Sequence, residues 1–246
     1  MLTGYSLGTI FKAALIAALA ASLSAALFHA VATEPVMDRA IAIEEEHAAA
    51  AGEHEEPMVS RRAQKVGLFA GFVLYGLVWA LLTTVVYRAG QGWLPGAGSR
   101  WQRVLLVTAG YWSLALFPFL KYPANPPGVG DPDTIGYRQG LYLLALVLAT
   151  AGTALSLALA RRLSGSGIRA WGVPAGCLAV YSAVVFLALP GNPDEVGMPM
   201  DLVSLFRGLS LAGLTLFWGI FAALFALLLR PGRMVAAERL AQVRLG

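Results

Sequence analysis

Residues 114–148 read "LALFPFLKYPANPPGVGDPDTIGYRQGLYLLALVL": an apolar run, a centre crowded with Pro123, Pro126, Pro127, Pro132 and three glycines, then a second apolar run. Proline fixes φ and lacks an N–H donor, while glycine permits tight turns. The centre therefore suits neither a helix nor an ordinary strand. Lipid cannot satisfy such a backbone. The stretch predicts a helix leaving the membrane, a stiff loop in the wet outer layer or a protein-lined cavity, and a helix returning.

The rest of the chain repeats the pattern. Hydrophobic residues make up 58% of the 246 and mean hydropathy is +0.67, against roughly 45–50% apolar content in soluble domains. About 20 apolar residues cross a hydrocarbon core of about 30 Å. Six such runs occur: Leu7–Ala32, Val66–Tyr87, Arg103–Leu120, Gln139–Ala160, Trp171–Leu189 and Leu205–Leu229. We expect an all-α fold, a polytopic transmembrane helix bundle forming one integral domain over residues 1–246. Its outer parts are an acidic, histidine-bearing loop at 33–65 and Pro/Gly-rich loops at 121–138 and 190–204.

The last two loops are copies. "PANPPGVGDP" at 123–132 and "PGNPDEVGMP" at 190–199 agree at six of ten positions with a constant offset of 67. The same offset lays span three on span five and span four on span six, which makes a parallel helix-hairpin repeat. Spans one and two, followed through "EPVMDR", read as a diverged third copy. The repeat predicts that the two loops face each other at an outer mouth. Asp131 and Asp133 would meet Met198, Met200 and Asp201 there. Compact turns made by Pro and Gly alone are the plainer alternative.

Orientation follows from charge, because Lys and Arg collect in short cytoplasmic loops. Six spans put both termini on one side, which takes eleven basic residues against Glu238. The other side has seven basic residues against thirteen acids, so the split is +10 against −6. Both termini are read as cytoplasmic and the acidic loops as outer. The basic pI of about 9.4 then reflects inner-side anchors rather than nucleic-acid binding. Ala30-Val31-Ala32 resembles a signal-cleavage site, but the preceding apolar stretch is long and its start nearly uncharged, so it reads as a retained span. Cys177 lies mid-span and is read as small core filler.

All three histidines fall between His29 and His54. Imidazole with nearby carboxylates suits cobalt, nickel and zinc. If Glu34–Ala51 is helical, Glu34 and Asp38 share a face and Glu44 and His47 converge, with Gly52 ending the helix. A solvated acidic helix carrying two surface histidines is the alternative for His47 and His54. A histidine at the end of a span needs a partner or a cavity, so His29 is the strongest candidate, with Glu34 and Asp38 as its expected companions. The candidate metal ligands are thus His29, Glu34, Asp38, His47, His54, Asp131 and Asp133. Lys121 or Arg138 would hold the two loop aspartates by ion pairs, or else anchor helix ends at the headgroups.

No GxxxxGK[ST] loop, HExxH motif or Ser/His/Asp grouping is present, and we do not read the chain as an enzyme. No carboxylate lies mid-span, so no intramembrane proton relay is visible. Gly67/Gly71 and Gly208 with Ala212 or Gly213 read as close helix contacts. Tyr75, Trp79, Trp101, Trp112, Trp171 and Trp218 read as interface anchors or packing.

The segment "LKYPANPPGVGDPDTIGYRQ" from Leu120, a first span ending in a histidine before "EPVMDRAI", and "RRAQKVGLFAG" opening span two together resemble the predicted cobalt transporter subunit family called CbtA. The resemblance runs along nearly the whole chain, with "KYPANPP" and "GDPDT" its specific part. It implies a multi-pass protein of the bacterial inner membrane, part of cobalt supply for cobalamin synthesis. It also implies a small one-span partner with a histidine-rich tail, no tightly bound cofactor, and cobalt as the transported cation. Its signature residues are His29, Glu34 and Pro35, then Lys121, Pro123, Asn125, Pro126, Pro127, Asp131, Asp133 and Arg138. The expected function is capture of a divalent transition metal at the outer face. A non-transporting scaffold that binds a partner protein is the alternative, and a path between copies in an oligomer stays open.

Overall fold

The computed structural model describes residues 5–52, 59–90, 99–166, 168–194 and 196–229. Among these, the elements are α1 (Leu7–Phe28), α2 (Glu34–Ala51), α3 (Arg61–Gly90), α4 (Arg100–Tyr111), α5 (Phe117–Lys121), α6 (Ile135–Arg162), α7 (Arg169–Ala188) and α8 (Met200–Leu228). A π turn at His29–Thr33 joins α1 to α2, another at Trp112–Leu116 joins α4 to α5, and Pro132–Thr134 form a short 3₁₀ turn before α6. Six helical stretches are long and apolar enough to cross a membrane, which makes the fold an all-α bundle.

Both π turns sit just upstream of a proline. Pro35 and Pro118 each occupy the second position of the helix that follows. A proline ring clashes with the carbonyl four residues back and donates no hydrogen bond. Widening the preceding turn to an i→i−5 pattern relieves the crowding without breaking the rod. Glu34 N–H accordingly donates to His29 O and Phe117 N–H to Trp112 O.

The helices outrun the apolar runs in the sequence. Ser6 and Ser99 cap α1 and α4 by accepting from Thr9 N and Gln102 N, and charged end turns continue the backbone ladder beyond the hydrocarbon. The extreme case is the first stretch, where 44 residues from Leu7 to Ala50 form one rod of roughly 66 Å at 1.5 Å per residue. Since the core is only about 30 Å thick, α2 stands outside the membrane. Gly52, at φ 76°, ends it in the left-handed conformation that glycine tolerates.

The centre of the molecule is α1, packed along α3 and α8. Ala14, Ala17, Ala18, Ala21 and Ala25 are fully buried. Small side chains let backbones approach closely, which lipid-embedded helices need to gain packing. The close approach on α3 occurs at Gly76, where an added Cβ would lie 3.1 Å from Ala18 O and closer to the Ser22 hydroxyl. It does not occur at Gly67, Gly71 or Gly208, which have open space beside them. Tyr75 and Trp79 of α3 meet Phe217 and Trp218 of α8 edge-on, so these aromatics are core. Trp101 and Trp171 stay exposed, as interface anchors should.

Two further sequence readings change, and one is met. Cys177 is exposed rather than core, because α7 packs chiefly on α6 and leaves most of its perimeter uncovered. Arg103, counted as a membrane-surface anchor, is 1% exposed and donates from Nη2 to Ala226 O. Residues 34–51 form the helix considered from their spacing, ended by Gly52, and its face bearing Val36 and Ala40 packs with Met198, Leu202, Val203 and Phe206. That contact roofs the N-terminal end of α8.

Candidate functional site

His29 opens the first π turn. Its Nδ1 lies 2.8 Å from Thr33 Oγ1, and its ring stacks on Phe72 with centroids 5.3 Å apart. On the other side the ring presses against Gly213 of α8. A methyl group there would sit 2.6 Å from Cε1, 2.9 Å from Cδ2 and closer still to Nε2. Gly213 is thus a close contact, made with a side chain. His29 also borders a cavity of about 560 Å³ walled by Tyr75, Trp79, Tyr142 and Phe217, with Gly67 and Gly71 forming its open side on α3.

Glu34 and Asp38 share a face, as expected, but they turn to α3 rather than to His29. Arg61 Nη2 bonds Glu34 Oε2 at 2.7 Å and Asp38 Oδ1 at 2.5 Å, and Lys65 Nζ reaches Asp38 Oδ2 at 2.9 Å. The cations close at hand capture the carboxylates, because an unpaired charge near apolar surface is costly. Hydrogen bonds from Lys65 and Arg61 hold the Asp38 carboxyl below its usual pKa of 3.8. His47 is exposed on α2 beside Glu44, Glu45 and Glu46. His54 lies outside the described residues. Among the described residues, no three His, Cys, Asp or Glu side chains converge as a metal group.

The two Pro/Gly loops do meet, but as crosswise latches. Arg138, from the helix after the first loop, pairs through Nε with Asp194 Oδ2 of the second loop at 3.0 Å. Arg207, from the helix after the second loop, donates through Nη2 to Asn125 Oδ1 of the first at 2.7 Å. Asp194 also accepts from Asp131 N and from the Thr134 hydroxyl, and Tyr122 OH donates to Pro190 O. Two glycines permit this geometry. Gly128 and Gly130 hold φ of 74° and 112°, Met198 Cε passes over the first, and the Arg138 guanidinium lies over the second.

The ion pairs expected for the loop therefore differ. Arg138 holds Asp194 and the Asp131 carbonyl, while Lys121 donates to Phe186 O and lies over the Phe186 ring. Asp131 uses its Oδ1 to cap Asp133 N, and both aspartates are exposed. Met198 is buried under α2, and Met200 and Asp201 are exposed, so no ring of carboxylates and thioethers forms. Pro126 is fully buried, whereas Pro123 and Asn125 line a second cavity of about 550 Å³ between the loops. From sequence, Asp194 and Arg207 enter only the charge balance of the loops and Gly213 only a helix contact. The signal for Asp194 was its place within the second copy of the repeat.

Six apolar helices with a histidine inside the first and latched polar loops at one end define a polytopic helical membrane protein. Its family is also shown. Residues 7–230 match the model of the family described as "Probable cobalt transporter subunit (CbtA)", and the chain belongs to it. No curated protein and no solved structure matches. Membership implies a cobalt transporter subunit, a class that points away from enzymes.

Proposed function

We propose that the chain captures a divalent transition metal, cobalt, at the outer face of a bacterial cytoplasmic membrane and passes it inward, with both termini cytoplasmic. The observation that carries this reading is His29, held inside the bundle with Nδ1 beside Thr33 Oγ1 and the residue bordering a cavity. If Nδ1 carries the proton and donates to Thr33 Oγ1, Nε2 keeps a lone pair, the form that borderline cations bind. Because Nε2 faces Gly213 in this structure, the ring must swing toward the cavity to use it. Such second contacts orient a ligating imidazole.

The outer acids support the approach to this site. The −6 balance attracts dications over about a Debye length, roughly 8–10 Å, and His47, Glu45, Glu46, Asp131 and Asp133 are exposed to meet them. Because Glu34 and Asp38 are engaged by Arg61 and Lys65, His29 supplies one donor. Water and a small one-span partner with a histidine-rich tail complete the set. A non-transporting scaffold is the second reading, favoured by the latched loops and by the incomplete donor group among the described residues.

Cell-associated cobalt, nickel and zinc, measured by elemental mass spectrometry with the partner co-expressed, separate the two. Transport predicts a rise in cobalt with wild type that is lost in His29→Ala and reduced in Asp131→Asn/Asp133→Asn at matched expression. Equal metal in all strains and in the empty-vector control sinks the proposal and leaves the scaffold.

A further inference from the structure

The two crosswise latches are not equal. Arg138 meets a carboxylate, Asp194, whose side chain is only 2% exposed. Arg207 meets a neutral amide oxygen; the Nε–H of each arginine is buried without a hydrogen-bond acceptor, but only Arg138 Nε has a carboxylate oxygen, 3.0 Å away. Among the described residues no carboxylate pairs with Arg207. A guanidinium offers five donors in a planar fork suited to two parallel bonds with a carboxylate or phosphate, and a charge held away from water without a counter-charge is costly.

Arg207 also borders the 550 Å³ cavity between the loops, with Asn125, Asn192, Arg138 and Tyr122 on its walls. The repeat brings its two equivalent asparagines, Asn125 and Asn192, to one cavity, so that amide donors and acceptors lie beside the Arg207 guanidinium. We infer that this cavity is a binding site for an anionic oxygen group, a phosphate or carboxylate, with Arg207 as its charged donor. A bare dication is repelled there, so the site is separate from the one proposed at His29 and stands without it. The anion comes either free from the outer medium or as the headgroup of an acidic lipid, since Arg207 lies two turns into α8.

The test uses the full chain in nanodiscs of phosphatidylcholine, titrated with inorganic phosphate while thermal unfolding is followed. A second arm uses discs containing phosphatidylglycerol, with retained lipid counted by native mass spectrometry. Wild type is expected to show saturable protection by phosphate, or selective retention of phosphatidylglycerol, and the responding arm identifies the source. Arg207→Gln removes the charge and should weaken that response roughly tenfold or more, given the strength of charge-assisted bonds. Should that variant fold poorly, Asn125→Asp carries the test. It supplies a carboxylate at this guanidinium internally, so it should raise the midpoint without added anion and abolish the response. The inference is overturned if neither arm responds in wild type, or if Asn125→Asp responds as wild type does.

Discussion

Replacing Gly213 with alanine tests how tightly α8 fixes His29. The new methyl group would overlap three ring atoms of His29, two of them at 2.6 and 2.9 Å, well inside ordinary van der Waals contact. Either α8 moves away from α1 or the ring turns out of its slot. Overpacking of this kind costs typically 1–3 kcal/mol. Turning the ring forfeits the Thr33 hydrogen bond and the Phe72 stack, each about 1 kcal/mol. Both routes arrive near 2 kcal/mol. For a chain of this size that corresponds to a fall in Tm of about 4–8 °C. Gly208 is the control, because it lies on the same helix with nothing within 4 Å of an added Cβ. There alanine should stabilise by up to about 1 kcal/mol through helix propensity alone. Thermal unfolding of the two variants in detergent measures both. If Gly213→Ala is as stable as Gly208→Ala, the close packing of His29 against α8 is wrong.

Two other outcomes follow from the ion pairs that join the loops and helices. Removing Arg138 strands the nearly buried Asp194 carboxylate, so Arg138→Ala should cost about 3 kcal/mol. The double variant Arg138→Ala/Asp194→Ala should cost less than the sum of the singles, and a double-mutant cycle on unfolding midpoints reads that coupling. The clasp between α2 and α3 should depend on pH in one direction. Because the folded pKa of Asp38 is depressed, its contribution is fully present above the unfolded value of 3.8 and is lost as pH falls through the lower folded value. The separation of spin labels placed on α2 and α3 should be the same at pH 7 and pH 5. It should widen only below pH 3.8, and a widening already at pH 5 would refute the assignment.

The spans were legible because about 20 apolar residues in a row have one stable fate, and the Pro/Gly loops because repetition exposed them. That Glu34 and Asp38 share a face was legible from helical spacing. That they face Arg61 and Lys65 was not, since the register of α2 against α3 depends on how far α1 continues through its π turn. The prolines at 35 and 118 carried that signal, each marking a widened turn that keeps the rod unbroken. Gly67 and Gly71 misled because a GxxxG spacing states only that close approach is permitted. Tertiary packing placed the approach at Gly76 and used the other two to open a cavity. The partners of Arg138 and Arg207 cross between repeat halves, and no local pattern encodes such pairings.

The most direct test of His29 as a cargo ligand is electron–nuclear spectroscopy of Co(II) added to the purified protein with its partner, comparing wild type with His29→Ala. Proposed ligation predicts one fewer coupled imidazole nitrogen in the variant than in wild type, while the fold, judged by unfolding midpoint, survives. Identical cobalt spectra in the two proteins would contradict it.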